Sequence, residues 1–321
     1  MLYNFLKIWS KLAMLIWCRR LIIKKPDVLN EKGPLLLACN HPNSFLDSVI
    51  LDSIFEQPVW SLARGDVFKK PFYIKLLTAL RILPVYRTTE GVENLSENYK
   101  TFDACINLFR QNGIVTIFSE GKCINEWHLR PLKKGTARLA MKAWEEKIPL
   151  RVLPVGINYS SFRRFGKNVF LNFGEVISMN DIKINEPDGI RHQAFNDKLQ
   201  QQLNQLVFEI PKADKEQQAK KLAIKPGLSN KIFLAIPAVT GWLAHLPLYA
   251  PIKRFTWKRT EKNDHFDSVM MALLLVTYPI YLLIIAFTLW FITSCWWVFL
   301  LLVILPFTAW SYVQLKPQLD R

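Results

Sequence analysis

Apolar and polar positions follow two rhythms along the first two-thirds of this chain. Leu35–Cys39, Val59–Ala63, Ile82–Tyr86, Ile114–Phe118 and Val152–Gly156 are short, nearly continuous apolar runs, the pattern of strands buried on both faces. Between them, Phe45–Phe55, Pro71–Leu80, Leu95–Gln111 and Lys133–Lys147 carry apolar residues at helical spacing. This alternation predicts an α/β domain over residues 26–228, a mixed sheet with helical cover. In such sheets, active groups gather just past the strand ends.

The two ends of the chain read differently. Leu2, Phe5, Leu6, Ile8, Trp9, Leu12, Ile16 and Trp17 recur near helical spacing, with Lys7 and Lys11 elsewhere on the wheel and Arg19, Arg20, Lys24 and Lys25 directly after. Residues 1–25 therefore predict an amphipathic helix lying on an anionic leaflet. They do not make a secretory signal, because the charges trail the apolar stretch and no small-residue cleavage site follows. From Ser268 to Leu315 no Lys, Arg, Asp, Glu or His occurs, a run of 48 residues. One span needs about 20 apolar residues, so 268–315 predicts two transmembrane helices with a turn near Ile292–Cys295. Trp290, Trp296 and Trp297 would lie in the interfacial belt. Pro279 and Pro306 fall inside the spans, where lipid-embedded helices tolerate them. Ile232–Ile252 is also uncharged but is interrupted by Pro237, Gly241, His245, Pro247 and Pro251, so residues 229–252 predict a re-entrant or interfacial segment.

Composition agrees with this division. The 321 residues hold 42 Lys and Arg against 26 Asp and Glu, a net charge of +16, yet half are hydrophobic. So many apolar residues exclude a disordered chain, and 5 scattered cysteines exclude a disulfide scaffold. High charge beside high hydropathy also speaks against an ordinary soluble enzyme. A membrane protein with a basic cytoplasmic part segregates the two properties. Lys253, Arg254, Lys258, Arg259 and Lys262 precede the hairpin and Lys316 and Arg321 follow it, while its turn has no charge. By the positive-inside rule both ends, and the α/β domain with them, face the cytoplasm. Residues 122–167 hold 11 Lys and Arg against 3 Glu, a net of +8 and half the total. Nucleic acid, anionic lipid headgroups, phosphorylated small molecules and a plain solvated face all compete for that stretch. No nucleic-acid-binding signature accompanies it, and the membrane segments make nucleic acid the poorest partner.

Four polar clusters fall at strand ends. The first, Cys39-Asn40-His41-Pro42-Asn43-Ser44-Phe45-Leu46-Asp47, follows the first run. His41 at the strand end and Asp47 in the first helical turn would meet as a base and the carboxylate that fixes its tautomer. Pro42 helps by disfavouring helix at His41. Ser44-Phe45-Leu46-Asp47 also has the form of a capping box, in which Asp47 would only satisfy the helix N-terminus. Spacing leaves both readings open. The other clusters are Val85-Tyr86-Arg87-Thr88; Phe118-Ser119-Glu120-Gly121, leading to Leu129-Arg130-Pro131-Leu132-Lys133-Lys134-Gly135; and Leu153-Pro154-Val155-Gly156-Ile157-Asn158. The four remaining histidines, His128, His192, His245 and His265, lack metal-ligand spacing.

In this order the four clusters resemble the blocks of the glycerolipid acyltransferase family, which includes glycerol-3-phosphate and lysophosphatidate acyltransferases. The resemblance covers roughly residues 30–175. Five residues separate His41 from Asp47 where the family commonly has four. Five is similar to the branch that acylates glycerol 3-phosphate and dihydroxyacetone phosphate, which also has a hydrophobic C-terminal hairpin. In a second departure, Lys122 and Cys123 stand where the family has Thr and a phosphate-binding Arg. The resemblance implies a catalytic His41/Asp47 pair and a substrate site of Arg87, Glu120, Gly121, Lys122, Arg130, Lys133 and Lys134. Arg87 is the leading phosphate ligand, because a guanidinium matches phosphate bidentately. Lys133, Lys134 and Arg138 suit membrane phosphates equally well. The implied reaction moves a fatty acyl chain from a thioester donor, acyl-CoA or acyl carrier protein, to glycerol 3-phosphate or its 1-acyl derivative, with no cofactor. Another lyso-lipid acceptor, or a lipid-binding protein of the same fold without turnover, is the alternative.

Overall fold

The computed structural model describes residues 2–86, 95–183 and 185–320. Its strands form one seven-stranded sheet in the order β1-β7-β6-β2-β5-β3-β4. These are β1 (Cys18–Lys24), β2 (Leu35–Cys39), β3 (Val59–Arg64), β4 (Ile82–Val85), β5 (Ile114–Phe118), β6 (Arg151–Tyr159) and β7 (Lys167–Phe173). The five strands from β6 to β4 pair in parallel. β7 follows β6 after a connection too short for a parallel crossover, so the sheet is mixed. β2 and β5, buried along nearly their whole length, coincide with the apolar runs read from the sequence.

The chain divides into two compact units. The first comprises Met1–Ile8, Ile23–Asn158 and Phe170–Lys212. It holds α2 (Phe45–Ile54), α3 (Pro71–Ala79), α4 (Leu95–Arg110), α5 (Gly135–Glu145) and α6 (Asp188–Leu206). In α5, Ala137, Ala140, Met141 and Trp144 follow the i, i+3, i+4, i+7 pattern of a buried helix face. Phe195, Leu199 and Leu203 recur every four residues in α6, and both faces share one core with Leu36, Ala38 and Val115 of the sheet. This is the helical cover expected of the α/β domain. The boundaries differ, because residues 159–169 and 213–228 group with the second unit and not with this one.

The second unit comprises Trp9–Ile22, Tyr159–Val169 and Ala213–Arg321. Four of its helices matter here: α1 (Leu2–Trp17), whose Trp9–Trp17 part it holds, α8 (Leu228–Thr260), α9 (Phe266–Thr293) and α10 (Leu301–Leu315). The short α7 (Lys215–Leu222) precedes them. α1 stops at Trp17, so the helix expected over 1–25 is followed by strand β1. Arg19 is buried there and donates to the Ile224 carbonyl at 3.0 Å, so it does not face a leaflet. Leu2, Phe5, Ile8, Leu12 and Leu15 are exposed in steps of three, three, four and three, an apolar stripe along one face of α1.

Residues 229–252 lie inside one continuous helix, α8, where the prolines predicted interruption. Pro237, Pro247 and Pro251 each remove a hydrogen bond, but an apolar surrounding gives the backbone no better partner than the helix itself. α9 ends in the left-handed residue Ser294, and Trp296–Leu300 form a short 3-10 turn before α10. This is the turn expected near Ile292–Cys295. Among the described residues three stretches, Leu228–Thr260, Phe266–Thr293 and Trp296–Leu315, are long and apolar enough to cross a membrane.

Buried polar side chains tie the ends of these helices to β7. Gln318 Nε2 donates to the Ile224 carbonyl at 2.6 Å, and Gln318 Oε1 accepts from Ile224 N–H at 2.7 Å and from Asn168 Nδ2 at 2.6 Å. Beside Asn168, fully buried Lys167 pairs with Asp267 in the first turn of α9.

Candidate active site

The ends of three parallel strands build the site. β2 and β5 run in register with Cys39 opposite Phe118, so the segments that follow leave the sheet side by side. His41 lies two residues past Cys39, and Glu120 lies two past Phe118. The His41 backbone N–H donates to Glu120 Oε2 at 2.7 Å. On the other flank Asn40 extends the pairing of β2 with β6 beyond the last strand residue. Its side chain donates to the Ile157 carbonyl at 3.0 Å and accepts the Ile157 N–H at 2.7 Å. The peptide carrying His41 is therefore held from both sides.

Asp47 is fully buried, with Oδ2 2.8 Å from His41 Nδ1 and 2.9 Å from the Asn43 N–H that donates to it. The Ser44 side chain makes no cap hydrogen bond to α2. Asp47 thus orients the imidazole, and the capping-box alternative does not hold. Ser44 itself takes φ +55°, which turns the chain sharply enough to bring the first turn of α2 back to the strand end. The His41 ring stacks on Phe118, with centroids 3.9 Å apart and planes inclined by 14°. With Nδ1 engaged, Nε2 is the nitrogen free to accept a proton, and it has no hydrogen bond among the described residues. The imidazole side chain keeps 15% exposure, enough for a small reacting group to approach.

Glu120 is the second buried carboxylate. Besides the His41 N–H, it accepts from Arg130 N at 2.9 Å and from Arg130 Nη2 at 2.9 Å. Arg130 Nε also lies 3.3 Å from Glu126, and Nη2 donates to the Lys122 carbonyl. The guanidinium is thus committed to Glu120 and Glu126. A buried carboxylate without such a cation would be costly, so Arg130 is the partner that lets Glu120 hold the His41 backbone from a buried position.

Lys122, Lys133 and Lys134 are exposed on the segment after β5. Gly121 turns that segment at φ +69°, and a Cβ there would lie 3.1 Å from Lys133 Cγ. The Gly121 N–H already donates to the Phe118 carbonyl at 3.0 Å, closing the turn. Gly121→Ala is expected to cost about 1–2 kcal/mol, set by the left-handed backbone because the lysine stem can move aside. Chemical denaturation of the purified variant measures it. Cys123 Sγ accepts the Ser44 N–H at 2.9 Å, which gives this thiol a place in the loop packing around His41. Burial, followed by the charge of Asp47, pushes the Cys39 thiol well up, so it stays protonated. Arg87 and Thr88 lie outside the described residues. Among the described residues no three His, Cys, Asp or Glu side chains are grouped to hold a metal.

Sequence reasoning assigned no role to Asn40, Asn43 or Phe118. Asn40 next to His41 at the end of an apolar run was the visible signal. Its partner Ile157 lies 117 residues away.

A family model described as Acyltransferase matches residues 20–158. Among solved structures the chain is similar to the crystal structure of the 1-acyl-sn-glycerophosphate (LPA) acyltransferase, PlsC, from Thermotoga maritima. That match has 15% identity and a TM-score of 0.44, and it covers 63% of this chain and 79% of that one. No curated protein matches.

Proposed function

Residues 20–158 form a domain of the acyltransferase family, and from that premise we propose that the protein transfers a fatty acyl chain from a thioester donor to the hydroxyl of a glycerol-phosphate acceptor at a membrane surface. The observation that carries this reading is the 2.8 Å contact of His41 Nδ1 with buried Asp47, which leaves Nε2 as the available base. Nε2 takes the acceptor's hydroxyl proton as the oxygen attacks the thioester carbonyl. The tetrahedral intermediate then expels the thiolate, which recovers the proton from the imidazolium. The products are an ester and a free thiol. Asp47 holds the tautomer and stabilises the transient positive charge. Lys122, Lys133 and Lys134, with Arg87, supply cations for the acceptor's phosphate, and Glu120 with Arg130 positions the loop that carries His41.

Membrane attachment follows from the same economy of burial. A long acyl product exposes about 0.8 kcal/mol of unfavourable surface per CH₂ in water, so the transfer belongs at the bilayer. The exposed stripe of α1 suits a leaflet. The bonds at Lys167 and Asn168 support a specific arrangement of the three long helices. Ile224, tied to Gln318 and through it to Asn168, stands four residues before α8. Four residues reach at most about 14 Å, and the hydrocarbon core is about 30 Å thick. α8 therefore starts on the same side as β7. α9 starts there as well, at Asp267 beside Lys167, and the chain returns there at Gln318 after α10. An even number of crossings results. α9 and α10 form the hairpin, and α8 packs against it, with Gly241 on the Thr308 backbone and the Ala244 carbonyl accepting from Tyr281. With the flanking basic residues, that near side is the cytoplasmic one.

The test is acyl transfer by the purified full-length protein. It uses labelled acyl-CoA and acyl carrier protein with glycerol 3-phosphate, dihydroxyacetone phosphate, 1-acylglycerol 3-phosphate and lysophosphatidylcholine as acceptors. Transfer to one of the phosphomonoester acceptors is expected. Transfer to none of them, or to the choline lipid alone, overturns the proposal.

A further inference from the structure

A large cavity lies wholly within the second compact unit. Its volume is about 1200 Å³, above the ~300–1,000 Å³ of ordinary small-molecule pockets. The Trp9–Trp17 part of α1 lines it, together with α8, α9 and α10. Much of its lining is apolar, with Ile16, Leu275, Leu282, Leu302 and Pro306 among it. Cations line another part, namely Lys253, Arg254 and Lys258 near the end of α8 and Lys316 just past α10. Among the described residues no Asp or Glu lines the cavity.

The cations are uncompensated. None of the four has an ion pair or side-chain hydrogen bond to another residue among those described. Lys316 is the most telling. Its ammonium stands 5.9 Å from the Phe165 ring and 5.6 Å from the Tyr312 ring, with no carboxylate of its own. Burial, and then the neighbouring Arg164, Lys167 and Lys253, push it down to about 7. The one carboxylate that acts on it, Asp267, is already held by Lys167. A half-buried cation in such surroundings is unfavourable unless an anion joins it. An anion that also fills an apolar cavity between membrane helices must carry a long hydrocarbon chain.

We propose that this cavity is a binding site for one anionic phospholipid of the bilayer, with its phosphate among Lys253, Arg254, Lys258 and Lys316 and its acyl chain between α1, α9 and α10. Its lining shares no residue with the site at His41, and the proposal does not depend on the proposed acyl transfer. Position agrees with this occupant. Lys316 follows the end of α10, and α9 begins at the same level, so the cationic end lies at the membrane surface and the apolar end lies in hydrocarbon. Anionic headgroups gather at such basic juxtamembrane residues.

The cavity carries its own reporters, because Trp9, Trp17, Trp242, Trp257 and Trp310 line it. The full-length protein in micelles is titrated with phosphatidate whose acyl chains are brominated, a quencher of tryptophan fluorescence, and with brominated phosphatidylcholine. Phosphatidate is expected to quench at a lower mole fraction. The Arg254→Gln/Lys316→Gln double variant is expected to weaken that preference by about tenfold, as removal of two phosphate-facing cations requires. His41→Ala should leave it unchanged. If the double variant fails to fold, judged by circular dichroism, Lys253→Gln/Lys258→Gln is read in its place. Equal quenching by the neutral and anionic lipids overturns the proposal, as does a folded variant with undiminished preference. Displacement by inorganic phosphate alone, or by stoichiometric palmitoyl-CoA, also overturns it, because the site would then belong to a free anion or to the acyl donor.

Discussion

His41→Ala is expected to reduce acyl transfer by about 10²–10⁴-fold, the usual contribution of a positioned general base. The fall should appear in kcat, with KM for either substrate moved little, because His41 acts as the hydroxyl loses its proton and not as the acceptor binds. Stability should change little, since the ring has solvent on one side and loses only its stacking on Phe118 and its bond to Asp47. Asp47→Asn separates the base from its orientation. An amide still accepts the Asn43 N–H and fills the same volume, but its NH₂ can hold the imidazole in the wrong tautomer. The activity of that variant should fall within the same range. Steady-state rates of both variants against the acceptor panel measure this. An alanine variant within tenfold of the parent would remove His41 from the chemistry and leave the acyltransferase domain as a lipid-binding scaffold.

How much of this was legible in the chain depends on the distance over which each feature is determined. Strands β2 and β5 were legible because a parallel strand buried on both faces must be a continuous apolar run, and both ends coincide with the runs. The His41/Asp47 pair was legible for a local reason. A strand end, a proline and a helix start within nine residues leave the two side chains few places to go. β1 was hidden because Cys18–Lys24 follows α1 without a turn residue, and its arginines read as a helix flank. β7 was hidden because it buries Lys167 and Asn168, which break the apolar pattern. Their partners Asp267 and Gln318 lie 100 and 150 residues along the chain. The prolines of α8 signalled interruption correctly for water and incorrectly for an apolar surrounding. The acceptor's phosphate site is legible only as a set of lysines, since the cation expected after Glu120-Gly121 is replaced by a cysteine that packs on the Ser44 backbone.

Asp267→Asn is expected to be among the most destabilising single substitutions in the second unit, at about 3–5 kcal/mol. Lys167 has no exposed side-chain surface and would be left without the carboxylate that meets it. Thermal unfolding of the full-length protein in detergent should show a lower midpoint for Asp267→Asn and for Lys167→Met alone. The double replacement Lys167→Met/Asp267→Leu should recover most of the loss, because two apolar side chains need no compensation. A double-mutant cycle then gives the coupling of the pair directly. Its functional weight is larger than its energy. The pair fixes the start of α9 beside Lys167, and the proposed placement of α9 and α10 as a crossing hairpin depends on that attachment. Cysteine labelling at exposed Lys262 and Pro317, which leaves the pair intact, should therefore find both on the same side of sealed vesicles. Opposite sides would mean that α8 crosses the membrane. A single variant as stable as the parent would mean that Lys167 finds another partner, and the start of α9 would then be held by packing of Phe266 and Met270 and not by charge.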